Sequence, residues 1–183
     1  MRVQILEIGT SDFNTEAGKL NGLFVEPVRE HFDRLPQCRK ENVAVSNRSG
    51  IIHIYYIPTE TIEKEGLPNW VRGCNSIEEP HETIVNQGWA KYLRCDIVPL
   101  VRIKTLIDKH EITDIDFLKI DTEGHDCVIL NDFLDTCDIK PSKIQFEANI
   151  LSDEKEVNKL IDRLKKHGYN CSKLKFDVVC FLS

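Results

Sequence analysis

Residues 116–130 read Asp-Phe-Leu-Lys-Ile-Asp-Thr-Glu-Gly-His-Asp-Cys-Val-Ile-Leu and gather the side chains best suited to chemistry in this chain. An apolar run, Phe117 to Ile120, ends in Asp121, Glu123, His125 and Asp126, with Gly124 inside the cluster and a helical apolar pattern behind it. Strands buried on both faces are written as continuous apolar runs, and ligands of open α/β sheets gather outside the carboxyl ends of such strands. Carboxylates and an imidazole at that edge are groups that accept and deliver protons. They would be a costly way to end a purely structural strand, so the edge is read as a site.

Two further strand ends have ligand-binding character. Glu7-Ile8-Gly9-Thr10-Ser11-Asp12 puts a glycine directly after an apolar strand. There the backbone can approach a ligand, and the following amides and hydroxyls can bind its polar groups. This is one glycine and not a Gly-x-Gly-x-x-Gly series, which counts against a pyrophosphate cradle and a nicotinamide-dependent oxidoreductase. Glu26 follows the strand Gly22–Val25, where nucleotide-binding α/β folds use an acid to accept hydrogen bonds from ribose hydroxyls. The pair suggests a ribose-bearing ligand without requiring a diphosphate.

The elements that must position these edges follow from periodicity. Val3–Ile8, Gly22–Val25, Asn42–Ser46, Ile51–Ile57, Asp96–Val101, Phe117–Ile120 and Lys143–Glu147 have strand character, and residues 169–182 read as one or two more strands. Helical spacing covers Val28–Leu35, Thr105–His110 and about His125–Leu134. A further helix starts at Asp153, paired with Glu156 as a capping box; Val157, Leu160, Ile161 and Leu164 share its apolar face and Gly168 closes it. Residues 58–95 carry Pro58, Pro68, Pro80, Gly66, Gly73, Gly88 and both tryptophans, and read as an irregular excursion with a short helix around 82–93. Long irregular segments of compact domains are more often functional lids than idle loops. The alternation predicts an α/β fold, a mostly parallel sheet with helices on both faces, as a single domain over residues 1–183.

Composition narrows the function classes. With 183 residues and 41% hydrophobic content the chain can bury one good core. A net charge of −6 does not suit the phosphate backbone of a nucleic acid. Seven cysteines without a Cys-x-x-Cys pair argue against a disulfide framework or zinc knuckle and for a reducing compartment. Neither a signal peptide nor an apolar run of bilayer length is found, so the expectation is a soluble, cytoplasmic protein. Oligomeric state is not legible.

With these segments in view, the chain resembles the FkbM-type family of S-adenosylmethionine-dependent methyltransferases. The matching segments are Ile5–Phe13, Val25-Glu26-Pro27, Val43–Ser46, Gly73–Ile77, Leu118–Asp126 and Ile144–Glu147, in the family's order; Lys119-Ile120-Asp121-Thr122-Glu123-Gly124 is the specific block. The resemblance implies a Rossmann-like class I methyltransferase fold with an antiparallel final strand, and O-methylation, often of sugars or glycoconjugates. The chain departs from the family in entering the first strand at once and in leaving only 13 residues, Gly9 to Asn21, between the first two strands. A parallel crossover usually needs about a dozen or more, so its first crossover helix must be short or absent.

The resemblance also implies roles. Gly9, Thr10 and Ser11 would approach the methionine portion of S-adenosylmethionine, with Glu7 or Asp12 close to its ammonium, Glu26 on the ribose and Ala44 at the adenine edge. Asp121 would lie by the transferring methyl. Removing a hydroxyl proton needs a base, for which His125 is the first choice and Glu123 and Asp121 the alternates. Arg72, Asn75 and Ser76 in the excursion, together with Glu147, suit the hydroxyls of a small-molecule or glycan acceptor, and Trp70 or Trp89 could stack on its apolar face. Asp121, Glu147 and Asn149 make an oxygen-rich set suited to Mg²⁺ or a similar divalent metal. The competing readings are a catalytically silent Rossmann-like binding domain, the nicotinamide oxidoreductase, and a nucleic-acid methyltransferase, which lacks its basic track here.

Overall fold

The structure, a computed structural model, describes residues 1–149 and 151–183. Its strands in chain order are β1 (Arg2–Ile8), β2 (Gly22–Val25), β3 (Lys40–Glu41), β4 (Ala44–Ser46), β5 (Gly50–Tyr56), β6 (Ser76–Ile77), β7 (Arg94–Arg102), β8 (Asp114–Ile120), β9 (Lys143–Glu147), β10 (Tyr169–Lys173) and β11 (Asp177–Leu182). The helices are α1 (Arg29–Arg34), α2 (Thr59–Lys64), α3 (Glu82–Asn86), α4 (Ile103–Lys109), α5 (Asp126–Thr136) and α6 (Glu154–Lys166).

Seven strands form a mixed α/β core in the order β10-β11-β9-β8-β1-β2-β3. β1 pairs in parallel with both β2 and β8, and β8 with β9, so the carboxyl ends of β1, β2, β8 and β9 emerge on one edge. The exception is β11, which runs antiparallel to both of its neighbours, β9 and β10. The β8 run is apolar because both sides are covered, and Leu118 and Ile120 are essentially inaccessible.

The expected third strand divides in two. Lys40 and Glu41 extend the main sheet beside Phe24 and Val25, whereas Ala44–Ser46 pairs with β7 in a separate four-stranded sheet of order β4-β7-β5-β6. Between them Asn42 donates from Nδ2 to the carbonyls of Glu26 and Pro27, both at 2.9 Å, and turns the chain from one sheet to the other. The expectation of one sheet is therefore corrected. β5 alternates buried and exposed residues because it packs through one face, with Ile52, Ile54 and Tyr56 against Val28, Ala44, Val98 and Leu100.

Helices α4, α5 and α6 cover one face of the main sheet through Leu106, Ile129, Phe133, Leu160 and Leu164. Each such side chain fully withdrawn from water contributes about 1.5–3 kcal/mol. The other face is closed without a crossover helix. Ala17 and Leu20 from the β1–β2 connection, with Leu35 just after α1, cover Ile5 and Phe24. Thirteen residues suffice to cross the sheet but leave no length for a helix as well.

The excursion is more ordered than its proline and glycine content suggests. It holds α2, α3, β6 and two 3₁₀ turns (Asn69–Gly73 and Ala90–Tyr92) around a small core of Ile57, Ile62, Val71, Cys74 and Ile84. The helix expected near 82–93 is α3 followed by the second of those turns. At α6, Asp153 Oδ1 accepts from the N–H of Lys155 and Glu156, but the Glu156 carboxylate accepts from Lys159 rather than completing the box. Cys171 and Cys180 face each other across β10 and β11 and are disulfide-bonded, a single bridge where the cysteine pattern argues against a disulfide framework. Among the described residues no helix is long and apolar enough to cross a membrane.

Candidate functional site

A cavity of about 270 Å³ opens at the carboxyl edge of the main sheet. Gly9 and Ser11 after β1, Glu26 after β2, Asp121, Glu123 and His125 after β8, and Glu147 at the end of β9 all line it. β4 and β5 supply an apolar wall of Ala44, Val45 and Ile54, continued by Val43 and Pro27, while Trp70, Gly73 and Asn75 approach from the excursion.

The loop after β1 is held by its own backbone. Gly9 has φ 76°, and a Cβ there would stand 1.8 Å from the Asp121 carbonyl oxygen, so the ends of β1 and β8 meet as closely as glycine permits. The N–H groups of Gly9 and Thr10 both donate to the Val25 carbonyl, at 3.0 and 3.1 Å. Ser11, at φ 54°, donates its N–H to Glu26 Oε2 at 2.7 Å. These three amides are therefore unavailable to a ligand, contrary to the expectation that they would bind one. Thr10 is fully buried, its hydroxyl on the carbonyls of Glu7 and Val25, and it is absent from the cavity lining. Ser11 lines the cavity, and its buried hydroxyl has no hydrogen-bond partner in the protein.

Glu26 is 3% exposed, and its second oxygen accepts from the Val28 N–H at 2.7 Å. Burial pushes its carboxyl up to about 7, although the Val28 and Ser11 amides favour the ionised form. Glu7 instead faces inward. Its two oxygens accept from Lys119 Nζ at 2.8 Å and from Thr15 Oγ1 and the Glu16 N–H, and it does not line the cavity. Asp12 is likewise outside the lining, paired with Arg72 Nη2 at 2.5 Å and Arg34 Nη1 at 3.4 Å.

At the β8–β9 edge three carboxylates converge. Asp121, Glu123 and Glu147 can each present an oxygen such that all three lie within 4.8 Å of one another. Burial, then the neighbouring negative charges, pushes Glu147 up to about 9; burial also raises Asp121 to about 7, against the pull of Lys119. Asn149 lies beside this set, its side chain hydrogen-bonded to the Glu147 carboxyl. Its Oδ1 also accepts from the Leu151 N–H at 2.8 Å, and Glu123 is a carboxylate of the cluster that the expected set had not included. Asp126, 1% exposed, fixes the arrangement by accepting from the Thr122 N–H and hydroxyl on one oxygen and the Glu147 N–H on the other. Glu123, at φ 52°, also receives His81 Nε2 at 3.2 Å.

His125 stands before α5 with Nε2 2.9 Å from Ser46 Oγ. Ser46 Oγ also stands 3.3 Å from Asn47 Oδ1, so the hydroxyl bridges the two side chains. Burial holds this imidazole below its ordinary value.

Of the residues expected on an acceptor, Asn75 and Glu147 line the main cavity, Arg72 is engaged by Asp12, and Ser76 donates to the Glu79 carbonyl at 2.7 Å. Ser76 borders a second cavity of about 240 Å³ that shares Glu123 and His125 with the first. Trp70 lines the main cavity and packs on Trp89 with ring centroids 5.8 Å apart. Burial pushes Cys74 up to about 12 and Cys127 to about 11, so neither is a ready thiolate. Sequence reasoning missed Lys119, His81, Ser46 and Asp126 as organisers. A lysine inside an apolar strand and the second acid of Glu123-Gly124-His125-Asp126 were visible signals; for His81 and Ser46 there was none.

The sequence profile described as Methyltransferase FkbM domain matches residues 7–171. No curated protein and no solved structure matches the chain.

Proposed function

The chain belongs to the FkbM methyltransferase family, and on that premise we propose that it is an S-adenosylmethionine-dependent O-methyltransferase acting on a hydroxyl of a sugar or glycan. The observation that carries this reading is the convergence of Glu26, Asp121, Glu123, His125 and Glu147 on one cavity at the strand ends. The strand order, with β11 antiparallel between β9 and β10, supports a Rossmann-like class I arrangement in one domain.

The residues fit the adenosyl cofactor. Each Glu26 oxygen accepts one backbone N–H and keeps a lone pair for a ribose hydroxyl. Ala44, Val45, Ile54 and Pro27 give adenine an apolar wall. Bound S-adenosylmethionine supplies an electrophilic methyl group on a sulfonium centre.

The chain's own residues orient the acceptor and remove its proton. His125 is the base: Ser46 holds the ring through Nε2, and burial lowers its pKa so that the imidazole is neutral near pH 7. Glu147, with a carboxyl near 9, is protonated at that pH and donates a hydrogen bond to a neighbouring hydroxyl of the acceptor. A metal-assisted variant has its own support in the spacing of Asp121, Glu123 and Glu147, which would hold a hard divalent cation able to acidify the acceptor hydroxyl.

The test is transfer of labelled methyl from S-adenosylmethionine to a panel of methyl glycosides, with Mg²⁺ or with chelator. Label should enter a glycoside, and His125→Ala should lower turnover roughly 100-fold or more while S-adenosylhomocysteine still binds. Cofactor binding without transfer to any glycoside would sink the proposed reaction and favour a silent binding domain. Equal rates with chelator would remove the metal variant.

A further inference from the structure

The second cavity lies beside the main one and shares a wall with it. Ile77, Thr122, Glu123 and His125 line both, so a molecule in the second cavity reaches the proposed base from outside the adenosyl pocket. The excursion fixes this wall. His81 is 5% exposed, and its Nδ1 accepts from the Thr83 N–H at 3.2 Å. The ring's proton is therefore on Nε2, which donates to Glu123 Oε2 at 3.2 Å. That bond ties the start of α3 to the loop after β8, and the second cavity is bounded by the two segments it joins.

The lining has a definite sign. Ile77, Pro80 and Leu151 give it an apolar side on which the C–H face of a sugar ring can pack, and Glu79, Glu82 and Glu123 give it three carboxylates. Among the described residues no lysine or arginine lines it. Glu78 is ion-paired with Arg48, whereas its neighbour Glu79, like Glu82, is exposed and has no cation paired with it among the described residues. Unanswered carboxylates on a cavity wall repel an anion and attract a cation. The volume of about 240 Å³ falls below the roughly 300–1,000 Å³ of sites for drug-sized ligands, and so suits one ring.

We infer that the second cavity is the acceptor site and that it selects an amino sugar, a single ring presenting a free hydroxyl to His125 and a protonated amine to Glu79 and Glu82. The inference rests on the methyltransferase reading of the main cavity and deepens it by naming the class of acceptor. The same carboxylates turn away uronic acids and phosphorylated or nucleotide-linked sugars. Of the residues first expected on an acceptor, Ser76 borders this site, and Arg72, Asn75 and Glu147 do not.

Labelled methyl transfer by the full chain to three matched series tests it: methyl hexopyranosides, their amino-deoxy counterparts and the corresponding uronic acids, with S-adenosylhomocysteine binding measured alongside. The kcat/KM values should fall in the order amino, neutral, acidic. The amino series should lead the neutral one by roughly 5-fold, the upper scale of one ion pair open to solvent, and added salt should shrink that lead. Glu79→Gln and Glu82→Gln keep the size of exposed side chains, so the protein still folds. Together they should remove the lead, through KM and not kcat. A neutral or acidic series used as well as the amino one, or an order that the double substitution leaves intact, overturns the inference, while the transfer itself upholds the methyltransferase reading. Transfer to none of the three by protein that binds S-adenosylhomocysteine overturns the acceptor site and the proposed reaction together. Absence of that binding refutes the adenosyl reading, and the inference with it.

Discussion

At the scale of single residues, the site depends on a few positions where no substitute fits. Gly9 is the clearest: a methyl group there would overlap the Asp121 carbonyl, and the backbone is already left-handed. Gly9→Ala should cost about 3 kcal/mol or more, read as a lower urea midpoint. Asp126→Ala should also destabilise, by about 2–3 kcal/mol, because the amides of Thr122 and Glu147 would lose a buried charged acceptor. It should further lower turnover by releasing the loop that carries Asp121 and Glu123. Unchanged unfolding midpoints would refute either assignment. Gly9, Glu26, Asp121, Glu123 and His125 were legible in the sequence because residue type and strand-end position coincide. His81 and Ser46 were not, since the residues they contact lie 42 and 79 positions away and only the folded chain brings them together.

At the scale of elements, periodicity announced most strands and helices, and packing decided the rest. The face of Val157, Leu160, Ile161 and Leu164 was read directly, and all four are buried on α6. Its cap gives a separable test. Asp153→Ala should lose about 1 kcal/mol of stability and leave S-adenosylhomocysteine affinity unchanged, because Asp153 is absent from the cavity lining; a changed affinity would contradict that separation. The division of residues 40–46 between two sheets could not be read, because one continuous β-like run gives no sign of changing partners. The order of the excursion was also hidden. Its small core is assembled from residues spread between Ile57 and Ile84, with no single period.

At the scale of the whole molecule, the cavity and the residues that support it gather carboxyl groups whose charged form burial disfavours. Glu26, Asp121, Asp126 and Glu147 have carboxyls raised to about 7, 7, 6 and 9, above ordinary values of 4.5 for Glu and 3.8 for Asp. The folded state therefore binds more protons than the unfolded state between about pH 4 and 9, and stability falls as pH rises through that window. His31 and His125 are lowered by burial and oppose this below their ordinary 6.5, where the unfolded chain takes up their protons first. The ligand-free, metal-free protein should thus melt higher at pH 6.5 than at pH 8.5, and a melting temperature that rises over that interval would refute these assignments. A divalent cation on the three carboxylates should narrow the difference, since it favours their ionised forms.

The most direct test of the central claim is calorimetric titration of wild-type protein and Glu26→Ala with S-adenosylhomocysteine, with NAD⁺ as control. The wild type should bind S-adenosylhomocysteine and not NAD⁺, and Glu26→Ala should weaken that binding roughly 10-fold or more. No binding of S-adenosylhomocysteine by the wild type, or equal affinity in the variant, would contradict the assignment of this cavity to an adenosyl cofactor.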